Sequence, residues 1–231
     1  MFTNRSTLTE LLDADSIPQQ DLFRNLHELD VINRLLGGHA VTLKAIKSLN
    51  LKQDKVYHVL DIGSGGGDTL KAIAKWGRKN GIQLALTGVD LKSDCIQYAQ
   101  SFCKEYPEIT FIQSDYRQIP NLQLTFDIII SALFCHHLSD DEIQDLCLWG
   151  SKHANNAFII NDLHRHPLAY YSIACLTQIF SHSYLVKNDA KLSVLRGFKK
   201  SDLTKLINFL STQKITLKWM WAFRWLLVIR K

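Results

Sequence analysis

Val59-Leu60-Asp61-Ile62-Gly63-Ser64-Gly65-Gly66-Gly67-Asp68 is the stretch that decides the fold. An apolar run that ends in an acidic residue and then in glycines is a buried strand that breaks into a tight turn. Glycines there let the backbone turn sharply and come close to a ligand. Leu70, Ile73 and Ala74 follow at helical spacing, and Gly81 closes that helix. The spacing Gly63-x-Gly65-x-x would need a third glycine to cradle a pyrophosphate at the helix N-terminus. Asp68 stands there instead. Two carboxylates, Asp61 and Asp68, around a glycine turn suit a cationic, phosphate-free ligand.

Outward from this turn, strands alternate with helices. IQLALTGVD (82–90), EITFIQSD (108–115), FDIIISAL (126–133) and AFIIND (157–162) read as strands. Between them lie helices, one capped by Ser93 and carrying Ile96, Ala99 and Phe102, the other opened by the capping box Ser139-x-x-Glu142. Another helix, capped by Ser201, carries Leu203, Leu206, Ile207 and Leu210. The chain closes with ITLKWMW and RWLLVIR around Ala222-Phe223, a hairpin. The fold expected is a doubly wound α/β domain with a mostly parallel seven-stranded sheet and a terminal antiparallel hairpin. In such sheets ligands sit at the carboxyl ends of the strands, here residues 61–68, 90–92, 115–117, 131–137 and 162–166.

Before the sheet, Leu22, Leu26, Leu29, Ile32 and Leu36 form a helical stripe ended by Gly37-Gly38, and Val41, Leu43, Ile46 and Leu49 fit a further helix. Thr7-x-x-Glu10 reads as a capping box. The division expected is an N-terminal helical cap over 1–50 and a domain over 51–231, with 165–200 inserted as a second part of the cap.

Length and composition agree. The 231 residues are 46% hydrophobic and 21% charged, which excludes disorder and low-complexity architectures. Five cysteines in odd number and irregular spacing argue against a disulfide framework and for a cytoplasmic protein. IIISALFC and WLLVI are too short to span a bilayer. Residues 151–231 carry 13 Lys and Arg against 3 Asp and Glu, a charge of +10, while residues 1–150 carry 14 against 19, a charge of −5, so the net +5 is unevenly spread. No block of it is dense, and a solvated face is expected rather than a nucleic-acid surface.

Three acidic strand ends stand in register with the glycine turn. Asp90 can take both hydroxyls of a ribose, and Asp115 can accept from an adenine amino group. With DIGSGGG, GVDLK, QSDYRQIP and FDIIISALFCHHL in this order, residues 56–135 resemble a class I S-adenosylmethionine-dependent methyltransferase. The resemblance implies S-adenosyl-L-methionine as cofactor and S-adenosyl-L-homocysteine as product. It assigns cofactor binding to Asp61, Gly63, Gly65, Asp90, Leu91, Asp115, Tyr116 and Ser131. DLFRNLHELDVINRLLGG, NDLHRHPLAYY and LSVLRGF resemble quinone-biosynthesis-like methyltransferases associated with type III polyketide and phenolic-lipid pathways. That implies methyl transfer to a small aromatic, phenolic or polyketide-derived acceptor, at an oxygen. Transfer to RNA or protein, or a non-catalytic cofactor-binding subunit, are the alternatives.

Four of the nine histidines, His136, His137, His164 and His166, fall near strand ends. A phenol is protonated at neutral pH, and histidine is suited to take its proton. His137 comes first as base, then His164 and His136, with Asp162 orienting the ring. Adjacent residues of an extended loop point apart, so His136 and His137 are not expected in one pocket. Acceptor contacts are expected from His166, Tyr170, Tyr171 and Arg196. No His-Asp/Glu spacing matches a known ligand set, so no metal is expected. Nothing in the sequence sets an oligomeric state.

Overall fold

The computed structural model describes residues 1–14, 16–122, 124–208, 210 and 214–231. Strands β1 (Val56–Ile62), β2 (Gln83–Asp90), β3 (Ile109–Gln113), β4 (Phe126–Ala132), β5 (Ala154–Leu163), β6 (Lys214–Met220) and β7 (Arg224–Arg230) form one sheet in the order β3-β2-β1-β4-β5-β7-β6. Strands β1 to β5 run parallel, and β7 is antiparallel to both of its neighbours. The chain winds outward from β1 to β3 and then returns to β4, so the strand order reverses between β1 and β4. The crevice beyond their carboxyl ends is where such a sheet takes ligands.

Side-chain alternation builds a core on each face. In β4, Ile128 and Ile130 join Val59, Leu70, Ile73 and Ile159 on one side. Ile129 joins Leu60, Phe158, Leu146 and Leu203 on the other. Among the described residues, eight α-helices flank the sheet: α1 (Gln19–Leu35), α2 (Gly38–Lys47), α3 (Asp68–Asn80), α4 (Ser93–Phe102), α5 (Asp140–His153), α6 (Pro167–Phe180), α7 (Tyr184–Arg196) and α8 (Lys200–Ile207). The expected capping box at α5 forms: the Ser139 hydroxyl accepts from the Glu142 amide while the Glu142 carboxylate accepts from the Ser139 amide.

Several local expectations shift. Lys92 and Lys199, not Ser93 and Ser201, precede α4 and α8; the Asp90 carboxylate accepts from the Lys92 amide and Asp202 from the Lys199 amide. Thr7 and Glu10 open no α-helix; only a single 3-10 turn, Leu11–Asp13, follows them. Glu10 is drawn into the interior instead. The segment 165–200, expected as an inserted part of the cap, holds the helix pair α6 and α7, packed on each other. Helix α2 lies in the core of the sheet face through Val41, Ala45 and Ile46, whereas α1 packs against α4 and α7 above the carboxyl edge.

Residues 1–13 form a strap across that edge. Leu11 and Leu12 amides donate to the Asp189 carboxylate of α7. Lys92 donates to the carbonyls of Leu12 and Ala14. The buried Arg165 guanidinium holds the carbonyls of Phe2 and Thr3.

Candidate active site

Two adjoining cavities occupy the crevice. The first, of about 410 Å³, runs over the glycine turn and the ends of β1, β2 and β3. The second, of about 310 Å³, lies between α1, α6, α7 and the hairpin turn. Leu12, Leu29, Asn33, Leu133 and His137 wall both.

In the first cavity Gly63 and Gly65 have φ of +67° and +49°. A Cβ on Gly63 would collide with the Phe134 ring; one on Gly65 would meet only Leu26, 3.9 Å away, so that backbone faces the cavity. Asp90 ties the turn to β2, one oxygen accepting from the Gly65 amide at 2.9 Å and the other from the Lys92 amide at 3.0 Å. Each oxygen keeps lone pairs for a further donor.

Asp61 is 2% exposed, and its Oδ1 has no hydrogen-bond partner. Burial first, then the charges of Asp68 and Asp90, push its pKa well above the usual carboxylate range. Asp68 goes the other way. Burial raises it, but hydrogen bonds and charge from His39, together with Asn33, outweigh that and hold it low. A buried, unsatisfied carboxylate beside an ionised one calls for a cationic donor. The α-ammonium of S-adenosylmethionine would meet that demand, its sulfonium would add positive charge, and the free lone pairs of Asp90 suit a pair of ribose hydroxyls. The residues fit the cofactor.

The remaining expected cofactor residues divide. Leu91 and Tyr116 line the cavity. Asp115 also lines it, but its carboxylate is held by the Arg117 guanidinium and amide, which lowers its pKa. Ser131 does not reach it. It is fully buried on the far side of β4, with its hydroxyl 3.4 Å from the Cys135 sulfur.

The second cavity is apolar along α6 and polar at one corner. Beyond β4, Leu133 adopts φ +56° and turns the chain into the tight turn Cys135–His137. Contrary to the expectation for an extended loop, both histidine rings therefore face the same way, their centroids 4.4 Å apart. His136 Nδ1 lies 2.7 Å from Asp162 Oδ1, so Asp162 orients His136. His137 Nδ1 lies 2.9 Å from Asp13 Oδ1, from the strap. Both Nε2 atoms face Glu10, at 3.6 Å and 3.8 Å from its oxygens. Burial, against the pull of His137, pushes the Glu10 pKa up to about 7. Asp13 and Asp162 stay low, since their histidine partners outweigh burial.

Arg196 sits behind this corner, donating to the carbonyls of His136, His137 and Leu8. It is buried and positions the turn and strap rather than facing the second cavity. His164 and His166 line neither cavity: His164 Nδ1 accepts from the Trp219 indole, and His166 Nδ1 caps α6 by accepting from the Leu168 amide. Tyr170 and Tyr171 pack against Phe2 on the outside of α6, whose cavity face is Ala169, Ser172, Ile173 and Leu176. Sequence reasoning missed Glu10, which it placed in a capping box, and did not single out Asp13 or Asn33.

Residues 59–148 match the methyltransferase domain family. Solved structures share the fold. One is a S-adenosylmethionine-dependent methyltransferase from Aquifex aeolicus, 15% identical over 93% of this chain and 98% of that one, with a TM-score of 0.59. Another is the plantazolicin methyltransferase in complex with S-adenosylhomocysteine, 16% identical over 92% and 93%, at 0.64. A third is human N-acetylserotonin methyltransferase in complex with S-adenosylmethionine, 17% identical over 93% and 56%, at 0.63. The seven-stranded sheet with its terminal hairpin is thus a Rossmann-like methyltransferase fold.

Proposed function

We propose, for a chain that is an S-adenosylmethionine-dependent methyltransferase by its domain, its fold and its first cavity, that the methyl goes to an oxygen of a small aromatic, phenolic or polyketide-derived acceptor in the second cavity. The observation that carries this reading is the shared wall. Leu133 and His137 border both cavities, so a group held in one meets a molecule held in the other. A cavity of about 310 Å³ with an apolar flank and one polar corner matches a small amphipathic molecule. The human neighbour is named for a small-molecule acceptor.

Bound S-adenosylmethionine supplies an activated methyl on a sulfonium leaving group. The chain's own work is binding, alignment and exclusion of water. Asp61 holds the ammonium of the cofactor's methionyl part and Asp90 its ribose, and the positive-φ glycines let the backbone approach it. The strap and α6–α7 close the acceptor side. The acceptor hydroxyl faces the corner of Glu10, His136 and His137, where its proton is drawn off as the oxygen attacks.

Incubation with labelled-methyl cofactor and separate panels of hydroxylated aromatics, RNA and protein tests this. Label in the hydroxylated aromatics supports the reading. Label confined to RNA or protein, or in none of the three, overturns it.

A further inference from the structure

We propose that Glu10, His136 and His137 bind a divalent transition-metal ion at the polar corner; the role of the ion rests on the reading of the second cavity as the acceptor site. The corner presents three acceptors to one another. With the Nδ1 of His136 against Asp162 and that of His137 against Asp13, each Nδ1–H is engaged and each Nε2 offers a lone pair. Those lone pairs face the Glu10 carboxylate at 3.6 Å and 3.8 Å, too long for hydrogen bonds. The three ligand atoms lie within 4.8 Å of one another.

Histidines backed by carboxylates on the far ring nitrogen are the arrangement that fixes and strengthens metal ligands. Metal–ligand bonds of about 2.0–2.2 Å set neighbouring ligands roughly 3.0–3.5 Å apart; the two histidine–glutamate separations exceed that by a few tenths of an ångström, and no pair of the three atoms is more than 4.8 Å apart. Charge argues the same way. Glu10, Asp13 and Asp162 bring three carboxylates, and the cation in contact with them, Arg196, reaches Asp13 at 3.4 Å. Glu10 is 4% exposed, and its hydrogen-bond donor is the Ser193 hydroxyl. A buried carboxylate in that position gains from a cation.

Two imidazoles and one carboxylate suit zinc, iron or nickel better than magnesium or calcium. The remaining coordination positions face the cavity. A hydroxyl oxygen of the acceptor takes one of them, its pKa falls, and its proton passes from the corner to solvent as the oxygen attacks the methyl. The acceptor class narrows to molecules with a phenolic or enolic oxygen at one end of an apolar body. The sequence expectation of no metal is set aside because the ligands are scattered: Glu10 stands more than a hundred residues from the histidine pair, and no local spacing betrays it.

The test is titration of chelator-treated, full-length protein with Co²⁺, read by visible absorption and calorimetry, followed by displacement with Zn²⁺. One saturable ion per chain is expected. Glu10→Gln and His137→Gln should each weaken binding by about 100-fold or more. Asp13→Asn, which leaves all three ligands in place, should weaken it by about 10–100-fold. His39→Ala, in the separate group of Asp30, His39 and Asp68, should leave it unchanged. Each variant is first shown to melt cooperatively. Absence of saturable binding, or wild-type affinity in folded Glu10→Gln or His137→Gln, overturns the site. Methyl transfer to a phenol by ion-free protein overturns the ion's role and leaves the acceptor reading intact. Ion binding without transfer to any hydroxylated aromatic does the reverse.

Discussion

At Asp90 one side chain does two things: it pins the Gly65 amide and it faces the cofactor cavity. Asp90→Ala removes both, and affinity for S-adenosylmethionine should fall by about 1.5–3 kcal/mol, roughly 10- to 150-fold, by calorimetry. Equal affinity in the variant would remove Asp90 from the site. At the other cavity His137→Ala should lower turnover by about 10²-fold or more while cofactor affinity stays within a factor of a few. Retained turnover would separate the polar corner from the chemistry. His164→Ala, on a residue tied to Trp219 outside both cavities, should leave turnover nearly unchanged; a loss as large as that of His137→Ala would contradict the placement. Residues that touch the glycine turn were legible in the sequence because chain neighbours set them: Asp61, Gly63 and Gly65 lie within one turn, and Asp90 ends the next strand. Glu10 and Asp13 were not, because their partners are brought to them only by tertiary folding. The same reason hid the roles of His164 and His166, whose local position near a strand end says nothing of which way the chain then bends.

Among the elements, the strap depends most on a few contacts. The Asp189 carboxylate of α7 receives the amides of Leu11 and Leu12, and these bonds hold Glu10 and Asp13 at the corner. Asp189→Ala should raise hydrogen exchange at Leu11 and Leu12 by about 10-fold or more, the scale of losing hydrogen bonds to a charged group. Turnover should drop with it, while exchange in β1 and β4 stays unchanged. Unaltered exchange at Leu11 and Leu12 would show that the strap is held elsewhere. Strands and sheet helices were readable from periodicity, since their apolar faces repeat at 2 and 3.6 residues. The strap was not, having no period, and α6 was blurred because its outward face, with Leu168, Tyr171, Ile179 and Phe180 exposed, is as apolar as its inward one. Helix caps at Lys92 and Lys199 also escaped, because their side chains accept nothing from the first turn; it is their own amides that are held, by the carboxylates of Asp90 and Asp202.

Across the whole molecule, binding and stability meet at Asp61. Its folded-state pKa is raised, so the native protein holds a proton that the unfolded chain has released. Stability from this group is fully present below the ordinary carboxylate pKa of the unfolded chain, and is lost progressively as pH rises from there through the raised folded-state pKa. Without cofactor the buried carboxylate is a cost, and Asp61→Asn should melt a few degrees higher. With cofactor the same charge becomes a contact, and the substitution becomes harmful. Calorimetric titration of S-adenosylmethionine into wild type and Asp61→Asn side by side therefore tests the central claim most directly. The prediction is one site per chain in the wild type and at least about tenfold weaker binding in a variant that is more heat-stable when free. No binding to the wild type, or equal binding to both, would contradict it.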